Sequence, residues 1–224
     1  MIRSLLLVTI LIITCLALHA QADSDRGEPQ TLTRTPEYGI FVSLPTTGIE
    51  TSPRKNWKNS MGSKIGIFSR FPAHRLLNIQ AELHLQQHIA TLNVPQPYPY
   101  VIAMKETLNS FKLRMPVTVC LLGDHIAKEY LPQIGFGLYL DTPLYCRKIE
   151  NRDYISEIRT ERFDITSSYP MVTLGMNILI GFRKGPVFTE LRFSHDLTEL
   201  ELSRLEGRNI RHFDSGLVVG YTMF

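Results

Sequence analysis

The stretch LNSFKLRMPVTVCLLG, residues 108–123, separates into two sets when read two residues at a time. Phe111, Leu113, Met115, Val117, Val119 and Leu121 form one set; Lys112, Arg114, Pro116, Thr118 and Cys120 form the other. A strand turns successive side chains to opposite faces. This segment therefore presents one wholly apolar face and one face with two cations in mid-strand. Residues 77–87 (LNIQAELHLQQ) separate as completely, with Leu77, Ile79, Ala81, Leu83 and Leu85 against Asn78, Gln80, Glu82, His84 and Gln86. Similar patterns run through EYGIFVSL (37–44), SKIGIFSR (63–70), PQIGFGLYLDTPL (132–144), PMVTLGMNILIG (170–181), PVFTELRFS (186–194) and FDSGLVVGYTMF (213–224). The alternation predicts eight antiparallel strands, an even number suited to an up-and-down closed sheet.

The links reinforce this reading. FPAHR, GDHIAKEYL and FRKG, after strands two, four and six, are fairly short. The links after strands one, three, five and seven are much longer: residues 45–62, 88–107, 145–162 and 195–212. Residues 197–207 (LTELELSRLEG) within the last link suit either a helical turn or a further piece of hairpin. Regular alternation of short and long links is the pattern of a transmembrane barrel with short periplasmic turns and long extracellular loops. A soluble barrel of the lipocalin kind would use the same strands with the apolar face inward. The only tryptophan, Trp57 in KNW, lacks the Gly-x-Trp context usual near a lipocalin's first strand. The apolar faces of strands five and six, and the terminal Phe224, favour lipid as the outer solvent.

On that placement Lys64, Glu82, His84, Lys112, Arg114, Glu190 and Arg192 point into the lumen. An eight-stranded barrel has an interior that side chains just fill, and isolated buried charges are costly. The expectation is a luminal network of carboxylates and cations, with Glu82 beside Arg114 and Glu190 beside Arg192.

The amino terminus reads as a targeting segment. Arg3 precedes an apolar run from Leu5 to Leu18, and Ala20-Gln21-Ala22 fits a small-x-small cleavage site. The expected organisation is a signal peptide over 1–22, a flexible polar leader over 23–36 and one barrel domain over 37–224. Beyond Leu18 no apolar run approaches the ~20 residues of a membrane helix, so membrane residence requires a barrel. The net charge of +3 is mild and the cations are scattered, which argues against a nucleic-acid partner. Cys120 and Cys146 fall near opposite ends of strands four and five, too far apart for a disulfide across a ~30 Å bilayer core.

In order and spacing, SKIGIFSRF, LNIQAELHLQQ, SFKLRMPVTVCLLG, PQIGFGLYLDTPL, FDITSSYPMVTLGMNILIGF, ELRFSHDLTEL and the Gly-Tyr pair before the final Phe resemble the PorT-like small outer-membrane β-barrel proteins of Bacteroidota. The resemblance spans nearly all of 37–224. It implies an outer-membrane location, insertion by the barrel-assembly machinery with Tyr221 and Phe224 as the C-terminal signal, and for some relatives a link to protein secretion. The family ends in Gly-Tyr-x-Phe, whereas this chain ends Gly220-Tyr221-Thr222-Met223-Phe224. The extra residue gives Tyr221 and Phe224 opposite parity, which calls for a bulge or marks a degenerate signal.

No catalytic constellation stands out. Ser194, His195 and Asp196 are consecutive, and neighbours in a regular strand cannot share a site. They therefore read as a strand end, with a lipid-modifying hydrolase as the outlying alternative. His84 beside Glu82 has no further His or Cys at metal-ligand spacing. The sequence thus predicts a structural or partner-binding outer-membrane protein, not an enzyme, without cofactor or metal. Its expected partners are membrane lipid, the assembly machinery and a secretion or surface partner met through the long loops. The alternatives are a lipocalin-like binder of an apolar ligand and a narrow solute channel.

Overall fold

The alternating stretches pair in sequence order. The structure, a computed structural model, describes residues 35–52, 57–74, 76–98, 100–123, 130–154, 157–198, 200–202 and 208–223. The expected signal peptide, residues 23–34 of the expected leader, residues 124–129 of the link after the fourth predicted strand and Phe224 lie outside these residues. The strands are β1 (Glu37–Ser43), β2 (Thr46–Ser52), β3 (Trp57–Met61), β4 (Ser63–His74), β5 (Leu77–Tyr98), β6 (Val101–Leu122), β7 (Leu131–Tyr154), β8 (Ile158–Asp164), β9 (Thr173–Lys184), β10 (Val187–Asp196), β11 (Leu200–Leu202) and β12 (Arg208–Thr222). A 3₁₀ turn, Thr166–Ser168, precedes β9.

Eight strands form a closed antiparallel ring in the order β1–β4–β5–β6–β7–β9–β10–β12, and β1 returns to β12 through Gly39↔Thr222 to Ser43↔Val218. Closure leaves this ring no free edge. The first two ring strands are each interrupted once. β2 continues β1 along β12 after Leu44 and Pro45, and β3 precedes β4 along β5 across Gly62. The two breaks meet, because Gly62 donates its backbone N–H to the Pro45 carbonyl at 2.8 Å. Pro45 has no N–H for the ladder. Gly216 opposite it must lack a side chain, since a Cβ there would lie 2.6 Å from Pro45 Cα.

Parity sets inside and outside. Ile40, Val42, Ile65, Ile67, Leu85, Val117, Val119, Ile134, Phe136, Leu138, Ile180, Leu191, Leu217 and Val219 are exposed on the outer surface. Lys64, Glu82, Lys112, Arg114, Glu190 and Arg192 are buried. The apolar-inside arrangement of a soluble barrel is therefore not the one this chain adopts. Exposed Tyr38, Tyr130, Phe182 and Tyr221 mark the short-turn end of the apolar band, where barrels carry an aromatic girdle. A closed wall with this exterior satisfies its backbone internally and meets hydrocarbon outside, which makes it a membrane-spanning barrel.

The long links are shorter than their sequences suggest, because the strands run on. β5 and β6 continue their ladder to Tyr98↔Val101, with an irregularity between Pro95 and Tyr98. β7 continues to Tyr154 and folds back through β8, and β11 pairs with the start of β12, so residues 200–202 of the last link form strand and not helix; residues 203–207 lie outside the described residues. About ten tilted residues cross the hydrocarbon. The remainder of the 22- and 24-residue strands stands outside it. Opposite, the turn between β9 and β10 uses Gly185 at φ 58°, the left-handed region that suits glycine.

Candidate functional site

The lumen is the polar half of the alternation, and its contents change along the axis. Near the short-turn end Arg70 reaches three strands. Its Nε donates to Gln80 Oε1 at 2.8 Å, and its guanidinium lies 3.5 Å from both Glu37 and Glu190. The same guanidinium sits 5.2 Å and 5.4 Å from the Phe68 and Phe188 ring centres. Those rings meet edge to face at 5.1 Å. Aromatic faces here shield a cation that carboxylates neutralise.

In the middle, Arg192 bridges two carboxylates. Nη1 donates to Glu82 at 2.6 Å and Nε to Glu190 at 2.7 Å. His84 lies 3.6 Å from Glu82 and packs edge-on against Phe41. Glu82 therefore pairs across the lumen with Arg192, not with Arg114 on the neighbouring strand. Barrel closure places β10 opposite β5, a proximity that strand order alone does not reveal.

Further out, Arg114 grips Asp141 with two parallel hydrogen bonds of 2.7 Å and 2.8 Å, and donates to Asp214 at 2.7 Å. Its guanidinium stacks 3.8 Å above the Tyr139 ring. Tyr139 donates to Asp196 at 2.8 Å, and His212 Nδ1 lies 3.0 Å from the same carboxylate. Lys64 and Gln86 complete Asp214 at 3.1 Å and 3.0 Å. Lys112 sits 3.6 Å from Asp141 and 3.7 Å from Asp196. Through the spanning region, buried Lys64, Arg70, Lys112, Arg114 and Arg192 face buried Glu82, Asp141, Glu190, Asp196 and Asp214. The charges cancel, as burial at this depth requires.

Above the ionic layers the lumen turns apolar. Ile49, Trp57, Ala90, Leu92, Leu108, Cys146, Ile165, Tyr169 and Ile210 form one buried cluster. This core lies inside the extended hairpins, where a soluble protein would have its core. A bulge builds it: Phe111 pairs with Tyr145 and Lys112 with Pro143, leaving Leu144 extra in β7. One added residue reverses parity, so Asp141 and Cys146 both face inward. Beyond the cluster, Lys148 joins Glu106 and Glu150, and Arg152 joins Glu150 and Glu161.

The seven luminal residues singled out from sequence are all buried within the barrel wall. Their main partners Asp141, Asp196, Asp214, Tyr139, Arg70 and His212 were not singled out. Asp141 already stood on the polar face of its strand, so that parity carried the signal. Asp196 belonged to a segment read as a strand end, and Asp214 to the start of the last strand. Ser194 faces inward, while His195 faces outward with Nε2 3.5 Å from Glu50 Oε2. The two do not share a site. Cys120 and Cys146 are free and buried. Tyr221 is exposed on the outer surface and the ladder stays regular through Thr222. Among the described residues no group of three or more His, Cys, Asp or Glu side chains is placed to hold a metal ion.

No protein-family profile and no curated protein matches the chain. Solved structures similar to it include Neisserial surface protein A, at 9% identity over 84% of this chain and 99% of that one, with a TM-score of 0.44. Another is Ail, the attachment invasion locus protein of Yersinia pestis, in complex with sucrose octasulfate, at 8% identity over 84% and 100%, TM-score 0.40. A third is the translocator domain of the autotransporter NalP from Neisseria meningitidis, at 9% identity over 96% and 97%, TM-score 0.34.

Proposed function

We propose that this chain is an outer-membrane barrel with a structural or partner-binding role, holding β-hairpins outside the membrane as its working surface. It neither conducts solute nor catalyses a reaction. The carrying observation is the filled lumen: compensated ion pairs occupy the spanning region and an apolar cluster closes it above. A barrel that invests its interior in packing has its outer hairpins left for function. The partner is a surface or secretion component, in line with the resemblance to PorT-like proteins.

Two measurements test this. In planar bilayers the inserted protein should give no conductance steps; steady ion flow would favour the channel alternative. Replacing residues 95–103 by a two-residue hairpin turn should leave the heat-dependent gel mobility of a folded barrel intact. The same change should abolish cross-linking to neighbours at the cell surface and impair export. Unchanged cross-links and export would overturn the docking role.

A further inference from the structure

A groove of about 330 Å³ opens on the outside of the barrel across β9, β10, β12 and β2. Its walls are Met176, Ile178, Phe193 and Phe213, with Ser215, His195 and Glu50 also lining it. The register explains why it exists. One row across the wall runs Ile178, Phe193, Ser215, and the next runs Met176, His195, Phe213, Gly48. Large side chains thus stand beside small ones. Phe213 lies over Gly48, where a Cβ would come within 2.3 Å of its ring. The absent side chain lets the ring lie down on β2 and leaves space above Ser215.

The groove is continuous with the lipid-facing belt, since Ile178 and Phe193 belong to both. It sits toward the long-hairpin end, where β2 and β10 leave the apolar band. Its polar rim is the His195–Glu50 pair. Glu50 is exposed and its carboxylate only accepts hydrogen bonds. We propose that this groove seats one acyl chain of an outer-leaflet glycolipid, with an amide or hydroxyl donor at the head of the chain bonded to Glu50. Such lipids carry amide-linked, hydroxylated chains. A phosphatidylcholine has no donor to offer Glu50, so the Glu50 contact distinguishes the two classes. The inference rests on the membrane reading above and adds a specific lipid contact to it.

The test uses the full protein refolded into phosphatidylcholine vesicles doped with lipid A, extracted in mild detergent and weighed intact by mass spectrometry. The wild type should retain one lipid A and no phosphatidylcholine. Ser215→Phe, which fills the groove with a side chain at home on a lipid-facing surface, should lose the retained lipid. Glu50→Leu should keep a bound lipid but lose the choice between the two. Equal retention in Ser215→Phe and wild type, or equal retention of both lipids by wild type, would overturn the proposal. Each protein is first floated with its vesicles and checked for a heat-dependent mobility shift. Failure of the wild type there would instead sink the membrane reading itself, and this proposal with it.

Discussion

Arg114 carries more of the luminal network than any neighbour, because it satisfies Asp141 and Asp214 and stacks on Tyr139. Removing one partner of a buried pair leaves the other charged and undersolvated. Arg114→Met should therefore destabilise the folded barrel by about 3–5 kcal/mol, read as a lower urea midpoint in lipid vesicles. A double variant that also carries Asp141→Asn should recover part of that loss, since it removes one stranded charge. Gly185 is the other position where a single atom decides. An alanine at φ 58° costs about 1–2 kcal/mol in the left-handed region, so Gly185→Ala should lower the same midpoint modestly without altering the lumen.

The elements outside the bilayer obey a different physics from those within it. Above the belt, β7 and β8 are held by a ladder of ion pairs that half-buried Lys148, Arg152 and Glu161 make around buried Glu150. Burial alone would raise the Glu150 carboxyl, but hydrogen bonds from Lys148 and Arg152 hold it below its ordinary value. A depressed carboxylate stabilises the fold above the unfolded value of about 4.3, and that contribution is lost as pH falls through the folded value. Amide protection factors in β7–β8, taken relative to the free-peptide rate at each pH, should accordingly fall on going from neutral pH toward about pH 3, earlier than in the spanning part of β7. Glu150→Gln should flatten this dependence. An unchanged pH profile in that variant would place the sensitivity elsewhere.

At the scale of the whole molecule, lipid replaces water as the solvent of the outer wall. A cation on the lipid face near mid-bilayer costs about 2–4 kcal/mol in such barrels, so Leu191→Arg should destabilise the barrel in vesicles by that order. The same substitution on a soluble barrel with water outside would be nearly silent. Reversed polarity also explains the inner order of the chain. Within the bilayer the interior must hold whatever polar groups alternation supplies, and they neutralise one another. Above it, water lies outside and Leu92, Leu108 and Ile210 become the buried side.

Much of this was legible in the chain. Strict alternation in 77–87 and 108–123 identified the strands and both of their faces, because side-chain direction in a strand depends on sequence parity alone. The same parity put Lys64, Glu82, His84, Lys112, Arg114, Glu190 and Arg192 on one side of the wall. Partners were not legible. Glu82 meets Arg192 only because the sheet closes, and β5 and β10 are 110 residues apart at that contact. Nor could the strand ends be read, since the ladder runs through Pro95, a residue that ordinarily marks a break. The extra residue at Leu144, which turns Cys146 and Glu150 inward, answers to pairing with β6 and leaves no trace in local periodicity. Local alternation is a property of one strand and is written along it. The bulge is set where β7 pairs with β6, while pairing across the lumen and the groove beside Gly48 belong to the closed ring and come into being only when its first strand meets its last.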